Sequence, residues 1–227
     1  MKLQLNSLHW PNYNQKMLSA HKKVMDHFGL IMSYYEDQTN HGIWMDRIIS
    51  SSKADVIGFI EPDCIPLSKE IVLESARYAF NNQSFVGIAQ VSNHIEPKCH
   101  VYAAPAFYFI SKEAWQKLGR VSYVETRRAD VGEEVSYKAE EIGMRYRTYY
   151  PDFFEREPVE GVWPLGSYGY YGVGTVFHNS IYHLYQGRMG NNAELFEQRC
   201  QDVIEGKFST VGMNSSTTFN YKGRIVS

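Results

Sequence analysis

Cysteine is scarce. The chain has three in 227 residues, Cys64, Cys99 and Cys200. The number is odd and no C-x-x-C spacing occurs, which argues against a disulfide scaffold or a zinc knuckle and for a reducing compartment. Long apolar runs are missing too. The N-terminal stretch MKLQLNSLHWPNYNQK has no hydrophobic segment of the kind a secretory leader carries, and no run elsewhere reaches the length of a membrane span. A soluble, cytoplasmic protein with no membrane partner is therefore expected. Neither sign of charge dominates: 23 Lys and Arg against 25 Asp and Glu give a net charge of −2 and a pI near 6.4. That balance supplies no global attraction for nucleic acid or an anionic surface. It leaves only the small basic clusters Lys22-Lys23, Arg127-Arg128 and Arg145/Arg147. No internal repeat or low-complexity block interrupts the chain.

Apolar and aromatic residues are plentiful. The chain is 44% hydrophobic and 15% aromatic, with 17 tyrosines. Such rings pack cores or stack on sugars and bases, since tyrosine joins an apolar face to a polar tip. Periodicity orders the first half. Residues 2–8 suit a short strand. Over 15–28, Met17, Leu18, Val24, Met25 and Phe28 recur at helical spacing, with Gly29 as a stop. Residues 30–35 suit a strand and 41–52 a helix with Trp44, Ile48 and Ile49 on one side. Val56 to Ile60 is a continuous apolar run, as in a central parallel strand covered on both faces. Ser68 is a candidate N-cap for a helix to about Tyr78, with Glu70 in its first turn. This alternation implies right-handed crossovers and an α/β fold with a mostly parallel central sheet flanked by helices. Ligands of such sheets bind at the carboxyl ends of the strands, which here carry Asn6-Ser7, Glu36-Asp37 and Glu61-Pro62-Asp63. The second half reads as strands at 85–91 and 106–110, then a short helix capped by Ser111. A helix follows with Val131, Val135, Ala139 and Ile142 on one face, then an edge strand at 145–150. A glycine- and aromatic-rich loop spans 161–174, and a last helix over 193–206 buries Leu195, Phe196, Cys200, Val203 and Ile204.

The sharpest signal is ADVIGFIEPDCIPLSKEI, residues 54–71: a buried run ends in two carboxylates one residue apart, then turns apolar again. This layout resembles the Asp-x-Asp motif of nucleotide-sugar glycosyltransferases of the GT-A fold, which also follows a hydrophobic strand. Here Glu61 stands in place of the first Asp. The resemblance implies a single Rossmann-like GT-A domain over 1–227, with a nucleotide-binding half (1–80), an acceptor half (81–190) and a C-terminal helix and tail (191–227). It also implies Asp63 on a Mn2+ or Mg2+ ion, with Glu61 nearer the ribose or behind the metal. Both ions prefer oxygen ligands and neutralise charge on a departing nucleoside diphosphate. In the same frame Ser7 lies on the nucleotide side, His41 and Gly42 open a helix near the pyrophosphate, and Asp46 faces inward. The alternative is that His41 caps the helix and Asp46 lies on its wet face. Asp37 is placed by position as a partner of the base or ribose.

In RRADVGEEVSYKAEEIG, residues 127–143, acids just before an amphipathic helix resemble the region of the same family whose carboxylate deprotonates the acceptor hydroxyl. Asp130 is the first choice, with Glu133 and Glu134 as alternates, although the helix dipole favours acids in a first turn anyway. Members of the family often add a metal-ligating His late in the chain. His183 is preferred and His178 is the alternate, giving a mixed oxygen and nitrogen site suited to Mn2+, with Arg188 for phosphate. Trp163, Tyr168, Tyr170 and Tyr171 are acceptor contacts if the glycine-rich segment closes as a lid, and buried anchors if it is an ordinary loop.

These readings predict a metal-dependent glycosyltransferase moving a sugar from a nucleotide diphosphate, UDP first, to an acceptor hydroxyl. The acceptor is a saccharide, a protein, a small molecule or, as for some phage enzymes, a hydroxymethylated base in DNA. The basic clusters leave room for DNA, whereas the acidic pI counts against it. A nucleotidyltransferase is a rival, but it would open with a glycine-rich, basic loop after the first strand, which NSLHWPNYNQK lacks. A non-catalytic carbohydrate-binding module is the other rival, and it would have no need of an acidic strand end.

Overall fold

Three parallel strands carry the first part of the chain: β1 (Leu3–His9), β2 (Met32–Glu36) and β3 (Val56–Ile60), with β1 between the other two. The structure is a computed structural model and describes residues 1–92, 100–155, 161–185, 187, 191–218, 220–221 and 224–225. Its contacts group into two units. One holds Met1–Pro11, Met32–Glu61 and Val72–Tyr149; the other holds Asn12–Ile31, Pro62–Ile71 and Tyr150–Ser227. Helix α1 (Gln15–His27) and strand β4 (Cys64–Pro66) belong to the second unit.

In the first unit, β5 (Phe85–Val91), β6 (Val101–Ser111) and β7 (Arg147–Tyr149) complete a six-stranded sheet in the order β2-β1-β3-β6-β5-β7. β6 alone runs against the others, so the sheet is mostly parallel, as expected. Helices α2 (His41–Ser51), α3 (Lys69–Asn81), α4 (Lys112–Lys117) and α5 (Glu133–Glu141) flank it. Trp44, Ile48, Trp115, Val135 and Ala139 from α2, α4 and α5 join Ile57, Phe59, Phe85 and Tyr108 in one core. Every residue of β3 is buried. Its four large apolar side chains, at about 1.5–3 kcal/mol each, hold the strand from which Glu61 emerges. The caps follow from side-chain chemistry. Asn40, rather than His41, caps α2, accepting from the Ile43 amide. Ser111 caps α4, accepting from the Ala114 amide.

In the second unit, β8 (Pro151–Phe154), β11 (Thr175–Phe177), β12 (Ile181–His183) and β13 (Asn214–Ser215) form an antiparallel sheet with β4, in the order β13-β8-β11-β12-β4. The glycine-rich segment read as a loop is instead built around a hairpin, β9 (Val162–Pro164) with β10 (Tyr170–Gly172), closed by a 3-10 turn at Gly166–Tyr168. Gly169 makes that turn workable. Its φ of 107° lies where side chains rarely go, and a Cβ there would collide with the Ser216 carbonyl. Helices α1 and α6 (Asn192–Ile204) pack together. Two smaller expectations differ. Ile142 is exposed because α5 ends one residue before it, and Leu195 and Ile204 are half-buried, flanking the buried stripe of Phe196, Cys200 and Val203.

Candidate metal and nucleotide site

β3 stops where its chemistry changes. The Glu61 amide still donates to the Ala106 carbonyl at 2.9 Å, but Pro62 has no N–H to continue a ladder. The chain then enters β4, which pairs with β12 so that Cys64 lies opposite His183, and the Leu184 amide donates to the Asp63 carbonyl at 2.9 Å. The apolar residues after the acids are therefore an edge strand. Their pairing sets Asp63 Oδ1 3.6 Å from His183 Nε2. Glu61 stands two residues earlier in the chain, where the Met32–Glu61 segment of the first unit ends.

The arrangement fits a cation. At 3.6 Å the Asp63–His183 approach is too long for a hydrogen bond, yet short enough for both atoms to reach one ion at about 2.0–2.2 Å each. Asp63 Oδ1 and His183 Nδ1 are buried, and neither has a hydrogen-bond partner among the described residues. Leaving such atoms unpaired costs about 1–3 kcal/mol apiece, more for a charged one, a cost that coordination removes for the carboxylate. A carboxylate and an imidazole form a mixed oxygen and nitrogen donor pair suited to Mn2+ and tolerated by Mg2+. Glu61 also faces His41, with Nδ1 3.4 Å from Oε1.

The other candidates fall into groups. Ser7 is buried on β1 with no hydrogen-bond partner for its hydroxyl among the described residues. Asp37 accepts from the Thr39 amide at 2.9 Å, the Thr39 hydroxyl at 2.6 Å and Arg47 at 3.1 Å, and the Thr39 bonds chiefly hold its carboxyl below the usual range. Gly42 and Asp46 both meet the segment 122–124. A Cβ on Gly42 would stand 2.5 Å from the Tyr123 carbonyl oxygen, while Asp46 accepts from the Ser122 hydroxyl at 2.5 Å and the Tyr123 amide at 3.0 Å. His178 is exposed on the turn between β11 and β12, where its φ is 50°.

Of the three candidate bases, Asp130 accepts from the Val131 amide at 2.8 Å. Glu133 is buried between the Asp130 amide at 2.7 Å and His100 Nδ1 at 2.7 Å. Glu134 is held by both Arg128 Nε and Nη2, at 2.9 and 2.7 Å, and by Thr126 at 2.9 Å; the Arg128 bonds chiefly lower its pKa. Tyr168 is half exposed and stacks on Tyr150 at 4.5 Å, whereas Tyr170 and Tyr171 are buried. Arg188 lies outside the described residues. Sequence reasoning passed over Tyr185. Its ring is 4.0 Å from that of His183, 5.2 Å from Tyr171 and 5.7 Å from Trp163, so Trp163 joins an aromatic group that reaches the metal candidate. Alternation in Ile181-Tyr182-His183-Leu184-Tyr185 was the available signal.

The sequence matches no protein-family model and none of the curated proteins. Solved structures are similar at low identity. One is A197 from STIV, at 11% identity over 81% of this chain and 94% of that one, with a TM-score of 0.41. Another is a glycosyltransferase involved in the glycosylation of the major capsid of PBCV-1, at 10% identity over 66% and 82%, with a TM-score of 0.41. A third is the 4-diphosphocytidyl-2C-methyl-D-erythritol synthase of Anaerococcus prevotii DSM 20548, at 9% identity over 66% and 86%, with a TM-score of 0.38. At such identities and TM-scores the chemistry rests on this chain's own side chains. Among the described residues, no helix is long and apolar enough to cross a membrane.

Proposed function

We propose that this chain is a metal-dependent glycosyltransferase that moves a sugar from a nucleotide diphosphate, UDP first, to an acceptor hydroxyl. The observation that carries this reading is the approach of Asp63, three residues past the end of β3 in the chain, to His183; α/β sheets bind ligands at the carboxyl ends of their strands. Asp63 and His183 would hold Mn2+ or Mg2+, with Glu61 nearer the ribose or behind the metal. Bound there, the ion neutralises charge on the leaving diphosphate.

The remaining work falls to the chain itself. The Ser7 hydroxyl offers a hydrogen bond to the nucleotide, and Asp37, kept ionised by Thr39 and Arg47, is a candidate acceptor for ribose hydroxyls. Asp130 would take the proton of the acceptor hydroxyl in an inverting transfer. Glu134 is held by Arg128 and Glu133 by His100. Trp163, Tyr168 and Tyr170 are proposed acceptor contacts. A saccharide hydroxyl suits these rings better than hydroxymethylated DNA does, because Arg128 of the basic pair is committed to Glu134.

The test is a panel of UDP-, GDP- and CDP-sugars incubated with Mn2+ or with EDTA, reading nucleoside diphosphate release. Release from one nucleotide class, only with metal, is expected. No release from any member of the panel under either condition would sink the reading. Pyrophosphate release from a nucleoside triphosphate and a sugar phosphate would instead mark a nucleotidyltransferase.

A further inference from the structure

The buried face of α1 consists of Met17, Leu18, Ala20, His21, Val24 and Met25. Five of these are apolar at helical spacing, and His21 occupies the middle of the stripe, fully buried, where a leucine would pack. A buried polar ring is costly unless it is hydrogen-bonded, and this one bonds to the backbone of Cys64. That bond favours the protonated ring nitrogen, so the imidazole donates and the Cys64 carbonyl accepts. Burial dominates all the same and lowers the His21 pKa to about 3, against the opposing influence of the Asp63 charge.

Cys64 is the residue that both metal candidates share. Asp63 precedes it directly, and His183 lies opposite it across the β4–β12 pair. α1 packs on β4, so a tether from His21 acts on the backbone between the two ligands. We propose that His21 is a positioning residue for the metal site: its imidazole, donated from α1 to the Cys64 carbonyl, fixes the backbone that aims Asp63 and His183 at one ion. This rests on the metal reading of Asp63 and His183. Outer groups that orient ligands through hydrogen bonds typically govern metal affinity by about 10–100-fold.

The test measures Mn2+ binding by calorimetry, with thermal unfolding alongside, in the wild type and in His21→Leu, His21→Phe, His21→Asn and His21→Gln. Leu and Phe fill the space without a donor; the two amides place an N–H near one or the other ring nitrogen. Leu and Phe are expected to weaken Mn2+ binding by about 10–100-fold, and the amide that reaches the carbonyl to restore it to within about threefold of wild type, whatever each does to the unfolding temperature. Wild-type affinity in His21→Leu or His21→Phe overturns the proposal and leaves the metal site standing. Equal weakening in all four also overturns it, because ring packing and not the hydrogen bond would then set affinity. If neither apolar variant folds, the two amides decide: one is expected to bind at least about tenfold tighter than the other, and equal affinities overturn the proposal. No Mn2+ binding by the wild type removes the metal site and the proposal together.

Discussion

His183 Nε2 stands 3.6 Å from Asp63 Oδ1, and each side chain keeps one buried polar atom that no described residue bonds. The pairing of β12 with β4 holds them there. A fold that buries a carboxylate and an imidazole together without a hydrogen bond between them carries a desolvation cost. A shared cation would offset it.

Gly42 sits where α2 meets the backbone of 123–124. A Cβ would come within 2.5 Å of the Tyr123 carbonyl oxygen and 2.6 Å of the Val124 Cα. Both are backbone atoms, which leave little room to give. Gly42→Ala is expected to destabilise the protein by about 1–3 kcal/mol, read as a lower urea midpoint. An unchanged midpoint would mean that the 122–124 segment yields more easily than its bonds to Asp46 suggest.

His100 bridges two carboxylates associated with α5, with Nδ1 2.7 Å from Glu133 and Nε2 3.1 Å from Glu140, and its ring stacks on Tyr137 at 3.9 Å. Burial pulls its pKa down, but the bonds to Glu133 and Glu140 outweigh burial and raise it above the ordinary 6.5. A raised folded-state pKa means that the charged ring stabilises the fold. That contribution is complete below the unfolded value and fades as pH climbs through the folded one. The stability difference between wild type and His100→Gln, from urea unfolding, should therefore be larger near about pH 6 than near about pH 9. A difference independent of pH would contradict the bridge.

Asp130 and Glu134 separate the catalytic reading from the structural one. Asp130→Asn should lower kcat by about 10²–10⁴ if Asp130 is the general base of an inverting transfer. Glu134→Gln breaks the pair with largely exposed Arg128 and should cost no more than about 1 kcal/mol of stability, with turnover little changed. Full turnover in Asp130→Asn would remove it from that role.

The fold was legible where the pattern was long. The five-residue run of β3 and its abrupt acidic end stand out in sequence, and α1, α2 and β5 fall close to where periodicity puts them. β4, β11 and β12 are three residues each, too short for alternation to register, so the pairing that joins Asp63 to His183 had no local signature. Glycine content misled at 161–174, because a hairpin needing Gly169 at positive φ has the composition of a loop. Gly42 and Asp46 illustrate the wider difficulty. Both meet residues 122–124, a partner far along the chain, and nothing beside them in sequence announces it. His21 was hidden for the opposite reason, since one polar residue in an apolar helical stripe passes for noise.

The most direct measurement is calorimetric titration of UDP into the wild type and Asp63→Ala, each with Mn2+ and with EDTA. Metal-dependent binding by the wild type, with Kd between about 1 μM and 1 mM, and none by the variant at an unchanged unfolding temperature is the expected result. UDP binding that persists in Asp63→Ala, or that is equal in EDTA and Mn2+, would contradict a metal–diphosphate site at the end of β3.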